Sequence, residues 1–205
     1  VLTSSQISSG LYVRGGSPDQ NLVLLDGTAV YNPTHLFGFI STFNTSALKD
    51  VELIKGGFPA EYGGRMSAVL DITQKEGNRN EYHGSANIGV ISSKVSAEGP
   101  LGSGAFFVGG RRTYLELVKA FIPEDPEEPI PDFNFYDVNL KITQDISEDD
   151  KIFLSGFISS DYLLYDSFGA TVDLNVGNKL AALRWNHIFA NDLFLVTNLS
   201  ASNYK

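Results

Sequence analysis

Four glycines lie close together in the segment KGGFPAEYGGR, between Lys55 and Arg65. A glycine-rich loop flanked by cations can cradle a phosphate group, because successive backbone N–H groups point at its oxygens. Phosphate loops of this kind open onto a helix that carries a lysine and a metal-binding hydroxyl. Here the residues from Ala68 to Ile72 follow, and their pattern is that of a strand. The spacing therefore argues against a nucleotide site.

The histidines and acidic residues do not form a catalytic pattern. His35, His83 and His187 lie in separate segments without an HxxxH or HExxH spacing, which argues for solvated or structural roles rather than metal binding. No GxSxG elbow surrounds a serine, and Asp19 and Asp26 fit turns better than acid catalysis. The chain also has no cysteine, so thiolate chemistry is excluded. We predict no enzyme activity, metal site or cofactor.

An acidic, proline-rich segment, PEDPEEPIPD, lies within residues 116–134. Carboxylate oxygens suit hard cations such as calcium, but the spacing is not that of an EF-hand, and we favour a solvated loop stiffened by its prolines. The segment contributes much of the formal net charge of -9. An acidic chain lacks the electrostatic footprint of a nucleic-acid-binding protein, so no nucleic-acid partner is predicted.

The elements that must position these residues fall into two regions. Up to about residue 80, short apolar runs alternate with glycine turns, and Asp26-Gly27 between two such runs predicts a hairpin. The segment NTSALKDVELI predicts a short helical turn followed by a strand. We expect this region to be a compact α+β unit.

From Tyr82 onward the pattern is almost entirely that of β-strands. In YDVNLKIT, apolar and polar residues alternate, with Tyr136, Val138, Leu140 and Ile142 on one face. No apolar run reaches the roughly 18 residues of a transmembrane helix. Strands of a membrane β-barrel, in contrast, are only about 10 residues long and alternate in this way. A soluble β-sandwich is the alternative reading of the same periodicity.

The alternation predicts about seven strands, at 84–91, 94–100, 105–117, 135–146, 151–165, 179–189 and 193–204. The first two are separated because the facing residues change parity near Ser92, although one bulged strand is the alternative. Short connections alternate with long ones at 116–134 and 166–178, which is typical of an outer-membrane barrel. Aromatic residues near strand ends favour a membrane girdle, namely Tyr114, Phe133, Phe135, Tyr136, Tyr162, Tyr165, Trp185 and Phe189.

The N-terminal region resembles the plug domain of TonB-dependent outer-membrane receptors. The motifs that carry the resemblance follow the family's order, and they are Arg14-Gly15, LLDG at 24–27, VELIKGG at 51–57, YGG at 62–64 and the closing strand AVLDITQK. The strands that follow are similar to the first strands of the family's barrel. The resemblance implies an α+β plug domain at residues 1–80 and antiparallel strands of an incomplete transmembrane β-barrel at residues 81–205.

The resemblance also assigns roles to single residues. The glycine-rich region becomes tightly folded plug backbone, with structural turns at Gly15, Asp26, Gly27, Gly56, Gly57, Gly63 and Gly64. Arginines of the family's plug pair with barrel carboxylates, and Arg14 and Lys55 would be their counterparts. Lysine lacks the bidentate fork of arginine, so a lock at Lys55 should be weaker. The resemblance places the acidic partners in strands beyond Lys205.

One further segment, YNPTHLFGFISTFN, combines aromatic and polar residues in a loop. Such residues can stack against ligands, and we regard His35, Phe37 and Phe39 as candidate ligand-facing residues. The alternative is that Phe37, Phe39 and Phe43 fill the contact between plug and barrel wall.

By resemblance, the protein would take up a scarce nutrient across the bacterial outer membrane, such as a metal chelate, a vitamin or a glycan. Its partners would be outer-membrane lipid, the TonB energy-coupling complex, a small-molecule or glycan substrate and, as a further candidate, a surface lipoprotein. A non-transporting β-rich surface protein for binding or adhesion is the alternative. Barrels of this family have about 22 strands, and the coupling box lies upstream of the plug. We therefore expect this sequence to be an internal fragment.

Overall fold

The computed structural model of the chain describes residues 11–35, 38, 40–114, 119, 121, 131–167 and 170–205. Within these residues the strands form two main sheets and one short hairpin. No helix among them is both long and apolar enough to cross a membrane.

The small sheet is a mixed sheet of four strands. Its members are β1 (Asn21–Leu25), β2 (Thr28–Ala29), β5 (Leu48–Ile54) and β6 (Ala68–Gln74). The spatial order is β2-β1-β6-β5, with β1 parallel to β6 and the other pairs antiparallel. Asp26 and Gly27 join β1 to β2 at φ of 50° and 77°. Such φ values suit a two-residue hairpin turn, so the predicted hairpin is confirmed.

Two short pieces of chain complete the N-terminal region. The strands β3 (Thr34–His35) and β4 (Ile40–Ser41) pair as a hairpin. A 3-10 turn at Thr45–Ala47 then leads directly into β5. The Asn44 side chain begins this turn by accepting a hydrogen bond of 3.1 Å from the backbone N–H of Ser46. The predicted helical turn before a strand is thus present.

The large sheet contains seven antiparallel strands in chain order. They are β7 (His83–Ile88), β8 (Ser92–Leu101), β9 (Gly104–Thr113), β10 (Asp132–Asp145), β11 (Asp150–Ser167), β12 (Ala170–Ala190) and β13 (Leu193–Tyr204). The number of strands and the break between β7 and β8 agree with the sequence-based prediction. Within the described residues the sheet is open, with β7 and β13 at its edges.

The predicted long connection at 166–178 is wrong, because these residues belong to two paired strands. Ser167 of β11 pairs with Ala170 of β12, and the register continues unbroken toward Asn178. The segment from Thr171 to Val176 alternates β-branched or apolar residues with polar ones, and the neighbouring strand satisfies its backbone hydrogen bonds.

The two faces of the large sheet show an inverted polarity. On β10 the polar residues are buried, with Asp137, Asn139 and Thr143 each 0% exposed. Val138, Leu140 and Ile142 of the same strand point away to the opposite face. That face carries exposed apolar residues from all seven strands, including Ile88, Val95, Val108, Val138, Leu154, Ile158, Leu183, Trp185, Leu195 and Leu199. A soluble sandwich would bury this apolar face instead.

The small sheet packs against the polar face of the large sheet through a limited apolar core. Residues of the N-terminal region, among them Val23, Phe43 and Ile72, cluster with Phe157 of β11 and Leu180 of β12. Of the aromatic residues expected near a membrane boundary, Phe133 and Phe135 are instead buried on this inner face. Tyr136, Trp185 and Phe189 are exposed on the outer face, as predicted.

Candidate functional site

Charged and amide side chains are buried where the N-terminal region meets the large sheet. They form three groups. The lysine cluster contains Asp26, Gln74, Asn139 and Lys141, and the histidine cluster contains His35, Arg111, Asp137 and Asp161. In the third group, the amide clamp, the buried side chain of Asn178 binds the backbone of Asn32. Buried charges are costly unless they are paired, so these groups select one way of docking the two parts.

The lysine cluster joins the β1–β2 turn to strand β10. Lys141 Nζ lies 2.8 Å from Asp26 Oδ1, and the two side chains are 1% and 4% exposed. The Gln74 side-chain amide donates to Asp26 Oδ2 at 2.9 Å and accepts from Asn139 Nδ2 at 2.9 Å. The cluster is therefore a continuous chain of hydrogen bonds from the small sheet to β10.

Local backbone geometry aims Asp26 into this cluster. The residue takes the left-handed conformation that aspartate tolerates better than most side chains. Its backbone N–H donates to the carbonyl of Ile72 at 2.8 Å. The turn is thereby fixed to β6, and its carboxylate is directed at β10.

The histidine cluster joins the β3–β4 hairpin to three strands of the large sheet. His35 Nδ1 lies 2.9 Å from each carboxylate oxygen of Asp161 on β11. His35 Nε2 lies 3.6 Å from Asp137 Oδ2 on β10. Arg111 of β9 donates from Nε to the same Asp137 oxygen at 2.5 Å. All four residues are buried.

Aromatic packing and a main-chain hydrogen bond hold this arrangement in place. The His35 ring stacks on Phe135 at 4.0 Å between centroids, with 14° between the ring planes. The Arg111 guanidinium carbon lies 5.0 Å from the centroid of the same ring. Arg111 also donates from Nη2 to the carbonyl of Ser41 at 2.7 Å. Both strands of the hairpin are thus attached to the large sheet.

The pKa of His35 is raised above the ordinary value of 6.5 by its surroundings. Burial is the largest single influence and lowers the pKa of the imidazole. The neighbouring carboxylates of Asp137 and Asp161 raise this pKa, and together they outweigh burial. The environment therefore favours the protonated ring.

The amide clamp attaches the chain after β2 to strand β12. Asn178 is 1% exposed, and its Nδ2 donates to the carbonyl of Asn32 at 2.8 Å. Its Oδ1 accepts from the Asn32 backbone N–H at 3.3 Å. The side-chain amide thus satisfies both main-chain groups of one residue, in the manner of a neighbouring strand.

The clusters are not arranged as a metal or catalytic centre. Among the described residues, no group of three or more histidine, aspartate or glutamate side chains has the geometry to hold a metal ion. His83 and His187 lie apart from the histidine cluster, beside Glu81 and Asp150 respectively. What the arrangement can do chemically is dock two parts of a chain with a defined register.

The residues predicted as sites lie in different surroundings. Arg14 and Lys55 are exposed and form no ion pair with a described residue. The lock assigned to them therefore stays a prediction. His35 is fully buried in the histidine cluster, whereas Phe37 and Phe39 lie outside the described residues. A ligand-facing role for these three also stays a prediction.

The predicted structural turns mostly have positive φ. Such values occur at Gly15, Asp26, Gly27, Gly56, Gly57 and Gly64, while Gly63 is not among them. The sequence did not lead us to predict that Asp26 takes part in a buried ion pair with Lys141. One signal was available, because a barrel strand turns its polar face inward and the polar face of YDVNLKIT includes Lys141.

Comparison with known proteins connects this geometry to a family. Residues 2–69 match the model of the TonB-dependent Receptor Plug Domain. Over these residues the chain is similar to the plug of TonB-dependent receptors. Strand β1, strand β2 and strand β5 of the small sheet lie within the matched residues, so this mixed sheet is plug-like, and the antiparallel large sheet follows it. A search of curated protein sequences found no match.

Solved receptors share the fold. A mutant of the ferric enterobactin receptor PfeA from Pseudomonas aeruginosa matches with a TM-score of 0.63 and 15% identity, over 91% of this chain and 33% of its own. The siderophore receptor PirA from Acinetobacter baumannii matches with a TM-score of 0.62 and 17% identity, over 94% of this chain and 33% of its own. A second PfeA mutant, in complex with enterobactin, matches with a TM-score of 0.63 and 16% identity, over 93% of this chain and 34% of its own.

This chain therefore spans about a third of the length of the solved receptors. At such identities the likeness concerns the fold alone. The family is one of receptors and transporters rather than enzymes, in agreement with the absence of a catalytic motif in the sequence.

Proposed function

We propose that this chain is the plug and the first barrel strands of an outer-membrane transporter, which imports a scarce nutrient with energy from the TonB complex. One observation carries the proposal. The plug docks through buried charges and amides on the polar face of strands whose other face is apolar. A polar lumen that holds a plug, surrounded by an apolar exterior, is the architecture of such a transporter.

The outer face supports a location in lipid. Ile88, Val95 and Leu199 are 86%, 60% and 71% exposed on that face. Exposed apolar surface of this extent is typical of a face covered by membrane or a partner. Outer-membrane lipid is accordingly the first proposed partner, in a bacterial cell.

We place the boundary between plug and barrel near residue 80. Strand β6 ends at Gln74 and β7 begins at His83, so the link between them is short. Residues 1–80 would then be plug, and residues 81–205 the N-terminal part of the barrel. Pulling on the plug by the TonB complex would have to break the lysine cluster, the histidine cluster and the amide clamp.

The substrate class follows from the family and not from the described residues. The solved neighbours are receptors for siderophores, one of them for ferric enterobactin. A metal chelate is therefore the first candidate, and a vitamin or a glycan is retained beside it. A surface lipoprotein that delivers the substrate is a further proposed partner.

The test is an uptake assay on the complete gene in its own host. We expect a deletion strain to lose growth on one limiting nutrient, supplied in turn as ferric siderophores, cobalamin or oligosaccharides. Complementation with the complete gene should restore growth, and inactivation of TonB should abolish the restoration. Labelled nutrient should accumulate in cells only when the complete gene and TonB are both present.

A surface adhesin or binding protein is the second candidate, and the same strains distinguish it. An adhesin would leave every uptake unchanged and would retain its binding in the absence of TonB. That outcome would contradict transport while leaving the plug-and-barrel fold intact.

A further inference from the structure

We propose that His35 is a doubly protonated latch, whose imidazolium holds the β3–β4 hairpin of the plug against barrel strands β10 and β11. The attachment of this hairpin then weakens as the pH rises. The latch is a property of the plug–wall contact and does not depend on which substrate, if any, the protein carries.

The positions of the two ring nitrogens carry the first step. Nδ1 faces the Asp161 carboxylate at 2.9 Å, and Nε2 faces the Asp137 carboxylate at 3.6 Å. A neutral imidazole has one N–H and one lone pair, so one nitrogen would turn its lone pair toward a carboxylate. Only the imidazolium presents an N–H to both. The geometry therefore favours the charged ring, in which the Nε2–H group faces Asp137 at the distance of an ion pair rather than of a hydrogen bond.

Charged groups reach the ring from three barrel strands. Arg111 on β9 opposes protonation, whereas Asp137 on β10 and Asp161 on β11 favour it. The Phe135 ring, stacked on the imidazole, excludes water from one side. The raised pKa of His35 agrees with this arrangement.

The direction of the pH dependence follows from linkage. The pKa of His35 in the docked state lies above its ordinary value of 6.5. The latch therefore contributes fully below about pH 6.5, and its contribution is lost as the pH rises through the pKa of the docked state. Over that window the opening equilibrium of the hairpin should rise by up to tenfold per pH unit.

Hydrogen exchange on the full-length receptor in detergent would measure this opening. The reporter is the backbone N–H of Thr42, which donates to the carbonyl of Pro33 at 3.1 Å and closes the hairpin. After correction for the intrinsic exchange rate, we expect its protection to fall at least threefold between pH 6 and pH 9. The amides of β6 should not show this fall and are the internal reference.

Two variants separate the latch from a general effect of pH. His35→Gln should have a less protected Thr42 at pH 6 and no further loss toward pH 9. His83→Gln is the matched control. The side chain of His83 is 50% exposed and lies outside the histidine cluster, so this variant should behave as the wild type. Protection of Thr42 in the wild type that is independent of pH would overturn the proposal, whether or not His35→Gln folds.

The protonation state is also directly measurable. With histidine labelled by ¹⁵N, the resonances lost in His35→Gln should show an imidazolium at pH 6.5. If His35→Gln fails to insert into the membrane, Asp161→Asn can identify the His35 resonances instead, because it should shift them. A neutral tautomer at pH 6.5 would contradict the latch.

Discussion

At the scale of single residues, a side chain that attaches the small sheet to the large one can have two structural roles. Asp26 forms a tight turn and also neutralises a buried lysine. Its turn function could be read from the dipeptide Asp26-Gly27, since that signal is local. Its partner could not, because Lys141 approaches it only when two distant segments dock. His35 illustrates the same limit, because its partner Asp161 is 126 residues away along the chain.

The ion pair of the lysine cluster gives the first prediction. Lys141→Met in the full-length receptor leaves the Asp26 carboxylate buried without its cation, at a cost of roughly 3–5 kcal/mol. We expect hydrogen exchange in β1 and β6 to show plug opening that is easier by this amount. The double variant Asp26→Asn with Lys141→Met should recover most of the loss, because no charge is then left unpaired.

Lys151 supplies the control for this experiment. It pairs with Asp145 at 3.3 Å, and its side chain is 43% exposed. Lys151→Met should therefore cost no more than about 1 kcal/mol. Equal effects of the two lysine variants would show that burial of the pair contributes nothing to the attachment of the plug.

At the scale of elements, alternation along the chain located all seven strands of the large sheet. It worked because a barrel strand has two different solvents on its two faces, so each residue's polarity reports its side. It failed at residues 166–178, where a long loop was predicted and the chain instead forms the paired ends of β11 and β12. Of the contact between the N-terminal region and the large sheet, the sequence could indicate only the polar face of β10. The partners of these polar residues come from distant segments and are defined only when the two parts dock.

The link between plug and barrel gives a prediction at this scale. Gly77 has a φ of +91°, and an added Cβ would lie 2.1 Å from the carbonyl oxygen of Phe106. Gly77→Ala should cost at least the roughly 1–2 kcal/mol of a left-handed backbone at an L-residue. We expect a lower thermal midpoint in detergent and faster exchange in the linker.

Gly63 is the matched control for this substitution. Nothing lies within 4 Å of its added Cβ, and its φ is outside the left-handed range. Gly63→Ala should change stability by less than about 0.5 kcal/mol. If Gly77→Ala were equally silent, the linker would not pack against β9 as described.

At the scale of the whole molecule, the inverted polarity of the large sheet determines how the chain can exist. Its apolar face needs a covering, which we propose to be lipid, and its polar face is covered by the small sheet. The resemblance in the sequence indicated this architecture through ordered motifs, and the structure adds the contacts by which the plug is held. The two halves are therefore interdependent.

Site-directed spin labelling of two neighbouring residues on β11 tests this central claim most directly. Leu154 lies on the outer face, 41% exposed, and Ser155 lies on the inner face, 6% exposed. In the full-length receptor in lipid bilayers, a nitroxide at Leu154 should collide often with oxygen and rarely with a water-soluble nickel chelate. A nitroxide at Ser155 should collide rarely with both. A buried Leu154 beside a chelate-accessible Ser155, as in a soluble sandwich, would contradict the account.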